Sequence, residues 1–204
     1  MQRGIRPAGA YQKLMLMKTV AAICHRKEHA PVKVAFAYED DPAFRAAMET
    51  YRGVAGQLIA QFEFRDFWWR FDALAKPALF ERAVGIAAEA DLVFCCPGNP
   101  HVLPRPVQDW LRHWLTRRTQ PDGALVILLP FVAGTTPSQT LVERDLRETA
   151  RVSGLACFVN YYLSGRAPHQ TTRTFELSKH VGEDLDVVRA VQHGASVDHW
   201  GINE

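Results

Sequence analysis

The chain has 204 residues, of which 48% are hydrophobic and 23% charged, with a formal net charge of +2. That is the length of one domain with tails and an ordinary globular composition, which excludes a disordered chain and any need for disulfide or metal staples. Arg3, Arg6, Lys13, Lys18, Arg26 and Lys27 face only Glu28 within residues 1–31, so 18 of the 24 cations and 21 of the 22 anions belong to the rest. A mildly acidic body without a basic face excludes nucleic acid as the main partner.

Cys24, Cys95, Cys96 and Cys157 form neither a CxxC pair nor a spaced framework. That usage suits reduced thiols in a cytoplasmic protein. The longest apolar run, residues 124–134, is too short to span a bilayer. Residues 14–24 follow basic residues as a secretory leader would, but Lys18 interrupts them and no A-x-A-like site follows, so neither secretion nor a membrane is expected. Met17 offers a second start.

Residues 32–38 (VKVAFAY) read as a buried first strand ending in acidic residues. Asp41 and Pro42 then read as an N-cap and N1 proline, with Phe44, Met48, Tyr51, Ala55, Leu58 and Phe62 at helical spacing. Residues 62–68 (FEFRDFW) alternate as a second strand would. Pro77 opens a helix carrying Phe80, Val84, Ala87 and Ala88. Residues 91–96 (DLVFCC) make a third strand, stopped by Pro97-Gly98-Asn99-Pro100. Pro104 starts a helix with Val107, Leu111 and Trp114 on its inner face. Pro121-Asp122-Gly123 turns the chain into a fourth strand, residues 124–130. Thr136-Pro137-Ser138-Gln139 has the form of a capping box for a helix with Val142, Leu146 and Ala150 inward, and Ser153-Gly154 closes it before a fifth strand, residues 155–163.

Strand and helix thus alternate with short loops, which predicts an α/β domain with a doubly wound parallel five-stranded sheet. The domain occupies residues 32–163, behind a basic N-terminal extension, 1–31. A C-terminal arm, 164–204, is expected to dock through Trp200 and Ile202, on the domain or on a second copy.

Ligands of open α/β sheets bind beyond the carboxyl ends of the strands. That rule selects Glu39-Asp40-Asp41 after strand one, Asn99 and His101 after strand three, and Gly134, Thr135 and Thr136 after strand four. The last loop combines a glycine, hydroxyl donors and a helix N-terminus, a composition that can hold an anion, though Thr136 equally serves as its own helix cap. Asn99 and His101 add an amide and a group able to titrate near neutrality, and the acidic residues favour a polar or cationic ligand end. No catalytic residue is assigned and no metal is expected: residues 25–29 match HxxEH only as a short basic segment ended by Pro31. GxGxxG, GxxxxGK[ST] and GxSxG are absent, and the acidic trio lacks the partner aspartate and lysine of a receiver phosphoacceptor site. The aromatic block Phe67-Trp68-Trp69-Arg70-Phe71 and the Cys95-Cys96 pair read as packing.

The segment from Ala90 to Trp114 resembles NADPH-dependent FMN reductases and related flavodoxin-like proteins. It keeps the apolar strand, the prolines seven residues apart (Pro97 and Pro104) and the following helix. Asn99-Pro100 stands in place of that family's Tyr-Asn dipeptide, and Glu39-Asp40-Asp41 in place of its Gly-Ser-x-Arg phosphate loop. Trp68-Trp69-Arg70-Phe71 and the closing His199-Trp200-Gly201-Ile202-Asn203-Glu204 resemble an uncharacterised bacterial family. The resemblance implies a flavodoxin-like sheet of order 2-1-3-4-5. It also implies a flavin- or nucleotide-dependent oxidoreductase, with FMN over the Pro97–His101 loop and its phosphate near Gly134–Thr136. The alternatives are an interaction or regulatory domain that has lost the cofactor loop, and a nucleoside-processing enzyme using Glu39 or Asp40. A small-molecule or nucleotide ligand and a homo-oligomer are the expected partners.

Overall fold

The computed structural model describes residues 8–27, 30–56, 58–118, 120, 122–131 and 140–163. Residues Val32–Tyr38 (β1), Phe64–Arg70 (β2), Leu92–Cys96 (β3), Ala124–Phe131 (β4) and Ala156–Leu163 (β5) form one sheet in the order β2-β1-β3-β4-β5. Every neighbouring pair is parallel. The helices are Ala8–Arg26 (α1), Asp41–Ala55 (α2), Pro77–Glu89 (α3), Arg105–Arg117 (α4) and Leu141–Val152 (α5). This is the doubly wound flavodoxin-like topology. The chain steps from β1 to β2 by way of α2, then reverses through α3, α4 and α5, so crossovers of one hand place α2 on one face and the other three on the opposite face.

Two apolar layers follow from the alternation of side chains along each strand. On one face Ala35, Val93, Ile127 and Val159 meet Val84 of α3, Val107, Trp110 and Trp114 of α4, and Leu146 of α5. On the other, Val34, Phe36, Phe94 and Val126 meet Ala47 and Tyr51 of α2 and Leu16, Val20, Ile23 and Cys24 of α1. The segment read from sequence as an extension therefore supplies a helix to the core. Its apolar residues fall one turn apart and seal the face that α2 alone leaves open.

Several boundaries differ from the sequence reading. The α2 cap is Asp40, one residue earlier than expected: its carboxylate accepts the Ala43 N–H at 2.9 Å, leaving Asp41 and Pro42 inside the first turn. That helix ends at Ala55, and Leu58 and Phe62 sit in the turns that follow. The second strand begins at Phe64, so that Phe36 and Trp68 pair across β1 and β2 and stack 3.7 Å apart. Trp69 and Phe71 are buried on the opposite face, as packing requires. The final helix starts at Leu141, capped by the Thr140 hydroxyl, which accepts the Glu143 N–H; the expected box at 136–139 lies outside the described residues. Ser153 and Gly154 end it as the sequence indicates, Gly154 with a φ of 67° that favours glycine. The C-terminal arm, 164–204, also lies outside the described residues.

The amino end of the sheet is closed by ionic contacts. Asp91, 3% exposed, accepts the Lys33 N–H at 2.9 Å and pairs with Lys27 Nζ at 2.8 Å just beyond α1. Arg118 donates to the carbonyls of Ala90 and Asp122 and lies over the Trp114 ring.

Candidate functional site at the carboxyl edge

The order reverses between β1 and β3, the place where ligands of doubly wound sheets bind. Glu39 leaves β1 with its N–H donated to the Cys96 carbonyl at 3.1 Å. Its carboxylate ties the two loops together, where Oε2 accepts the N–H groups of Gly98 at 2.7 Å and Asn99 at 3.2 Å. Asn99 in turn accepts the His101 N–H at 2.8 Å, an Asx-type turn that leaves both side chains exposed. From the far side, Tyr162 of β5 donates its hydroxyl to the Pro97 carbonyl at 3.0 Å. Glu39, Asp40, Asn99 and His101 are thus brought to one edge, as the sequence indicates. Gly134, Thr135 and Thr136 lie outside the described residues.

What this edge can bind follows from its donors. A phosphate at a helix N-terminus needs free backbone N–H groups. In the first turn of α2, Pro42 has none, Ala43 donates to the Asp40 carboxylate and Phe44 to the Asp40 carbonyl. The Gly98 and Asn99 groups are taken by Glu39, and three carboxylates surround the position. The N–H groups of Ala43, Phe44, Gly98 and Asn99 are thus already engaged on this side of the edge.

The buried thiols and the Tyr162 hydroxyl beside this edge are held in their protonated forms. Burial, reinforced by Glu39, pushes the Cys95 thiol up to about 12. Cys96 is also held well above its ordinary value by burial. The Tyr162 hydroxyl is raised by burial and then by Asp40, Cys96 and Glu39. Such thiols are protonated and inert as nucleophiles. Among the described residues, no three His, Cys, Asp or Glu side chains form a group that could hold a metal.

Two features escaped the sequence reading. One is Tyr162, whose hydroxyl ties β5 to the β3 loop across the edge. The other lies behind the edge in α5: Glu143, 2% exposed, pairs with Arg147 at 2.8 Å and receives the Tyr161 hydroxyl. Thr140-x-x-Glu143 carries the signal for this helix start, but it directly follows the similar Thr136–Gln139 box. Glu143 uses both oxygens internally, so it anchors α5 to β5.

Compared with protein-family models, curated proteins and solved structures, the chain matches none in any of the three. What the structure defines is a topology, the doubly wound flavodoxin-like sheet. No helix among the described residues is long and apolar enough to cross a membrane.

Proposed function

We propose that this protein is an interaction or regulatory domain that keeps the flavodoxin-like sheet and has given up the flavin site at its first loop. One observation carries the reading: the Glu39 carboxylate occupies the Gly98 and Asn99 N–H groups where the sheet reverses. A protein that held an anion there would need those donors free. The edge instead offers acceptors, with Asp40 and Asp41 exposed beside it, so the partner it takes presents N–H or cationic groups. The inert thiols and the engaged Ala43 and Phe44 N–H groups of the α2 N-terminus agree with a domain that recognises rather than transforms.

The flavin-dependent oxidoreductase implied by the resemblance is the competing reading, and colour separates the two. The full chain, purified without added cofactor, is expected to show no flavin absorption bands and no oxidation of NADPH in the presence of FMN. A yellow protein whose flavin is released on denaturation overturns the proposal.

A further inference from the structure

The sheet ends in two outer strands, β2 and β5. The chain around β2 is described without a break from 58 to 118, whereas β5 runs into residues outside that description. On its inner side β2 pairs with β1: the Val32 N–H donates to the Glu63 carbonyl and the Phe71 N–H to the Tyr38 carbonyl. Residues 63, 65, 67, 69 and 71 therefore turn their backbone groups toward β1. By alternation Phe64, Asp66, Trp68 and Arg70 turn theirs outward, where no strand among the described residues meets them.

Such an edge is a template for a further strand, and proteins blunt it with proline, bulges or charge. β2 contains no proline, and its register with β1 is unbroken. It does carry charge, but of both signs, in Arg65, Asp66 and Arg70, so the strand it accepts is selected by charge register. Asp66 is half-buried and accepts the Trp68 indole N–H at 2.6 Å. The two cations of its own strand go elsewhere, Arg65 to Glu63 and Arg70 to Asp72. Burial accordingly holds the Asp66 carboxyl above its ordinary value. Beside it Phe67 is half-buried as well, stacked on Trp69 with ring centroids 6.2 Å apart.

We propose that the strand β2 accepts is the β2 of a second copy of this chain, antiparallel to the first about a two-fold axis at Trp68. An axis perpendicular to the sheet keeps the faces of the two copies aligned, so each residue opposes one from the same face. Centred on Trp68, Asp66 of each copy opposes Arg70 of the other, and Phe67 opposes Trp69, which joins the two aromatic rows. Arg70 can serve Asp72 and the second copy's Asp66 together, because a guanidinium presents several donors. The neighbouring registers lack this match. An axis at Asp66 sets two carboxylates against each other, and one at Phe67 leaves Asp66 opposite Trp68 and Arg70 opposite Phe64. The interface lies on the β2 flank and makes no use of the Glu39 contacts.

Sedimentation equilibrium of the full chain over a range of concentrations tests it, with circular dichroism to show that each variant is folded. The wild type is expected to be a dimer that dissociates on dilution. Arg70→Asp and, separately, Asp66→Arg set like charges opposite one another and are expected to raise the dissociation constant at least about tenfold. Arg70 is exposed, so its replacement reads the pairing without entering the core. The double variant Asp66→Arg with Arg70→Asp restores opposite charges and is expected to recover the association that each single variant loses. A wild type that is monomeric at every concentration overturns the proposal, whatever else covers the edge. So does association unchanged by both single variants, or a double variant that associates no better than either of them.

Discussion

The Asp40 carboxylate occupies the space that a side chain at Gly98 would need: a Cβ there would lie 2.6 Å from Asp40 Oδ2. Asp40 cannot simply swing aside, because its other oxygen caps α2 through the Ala43 N–H. The helix cap and the β3 loop are thus one unit, although 58 positions separate Asp40 from Gly98 in sequence.

Gly98→Ala is therefore expected to cost about 1 kcal/mol by displacing the cap, while Asp40→Ala costs about 0.5–2 kcal/mol on its own. In the double variant the two costs are less than additive, since the space is vacated once Asp40 is gone. Chemical denaturation of the four proteins measures the coupling. Strict additivity would separate the loop from the cap.

At the other end of the sheet, Asp91, 3% exposed, receives Lys27 and the Lys33 N–H. Asp91→Asn keeps the shape but leaves the Lys27 ammonium, 22% exposed, without its counter-charge. A loss of about 2–3 kcal/mol is expected from the charged hydrogen bonds. Lys27→Met, which removes the cation as well as the pairing, is expected to cost less in the Asp91→Asn background than in the wild type. Equal costs in both backgrounds would show that the pair is not coupled.

The sealing of the α2 face by α1 predicts that Leu16→Ala, at a position 1% exposed, costs about 2–5 kcal/mol. Lys18→Ala, on the exposed side of the same helix, should change stability by less than about 0.5 kcal/mol. Equal melting temperatures for the two variants would mean that α1 does not pack as described.

Much of this was legible from local pattern. Apolar runs bounded by Pro and Gly marked the strands, and proline at helix starts marked α3 and α4. The alternation over residues 62–68 does not show where pairing with β1 begins, so the second strand was set two residues early. Two similar Thr-x-x-acceptor boxes in tandem concealed which one begins α5. The helical spacing of Leu16, Val20, Ile23 and Cys24 was present but lay in a basic, leader-like segment whose partners are α2 and, far along the chain, β5. At the site, the strand-end rule selected Glu39, Asp40, Asn99 and His101. That Glu39 would spend its carboxylate on the Gly98 and Asn99 N–H groups was not legible, because the contact depends on how two distant loops leave adjacent strands.

The buried thiols give a pH dependence with a definite sign. Cys95 has an ordinary value of 9.0, raised by burial to about 12. Above 9.0 the unfolded chain loses this proton while the folded one keeps it, so unfolding releases protons and stability falls as pH rises toward about 12. Cys95→Ala is expected to lower stability at neutral pH through the cavity it leaves, yet to lose less on going alkaline than the wild type. Parallel pH profiles for the two proteins would contradict the assignment.

The central claim is that Glu39 holds the donors an anionic cofactor would need at the sheet reversal. Calorimetric titration of FMN into the full chain tests it most directly. The account predicts no saturable heat with the wild type, and none with Asn99→Ala or His101→Ala, because Glu39 already holds the Gly98 and Asn99 N–H groups. Saturable one-to-one binding of FMN to the wild type, lost in Asn99→Ala, would contradict it.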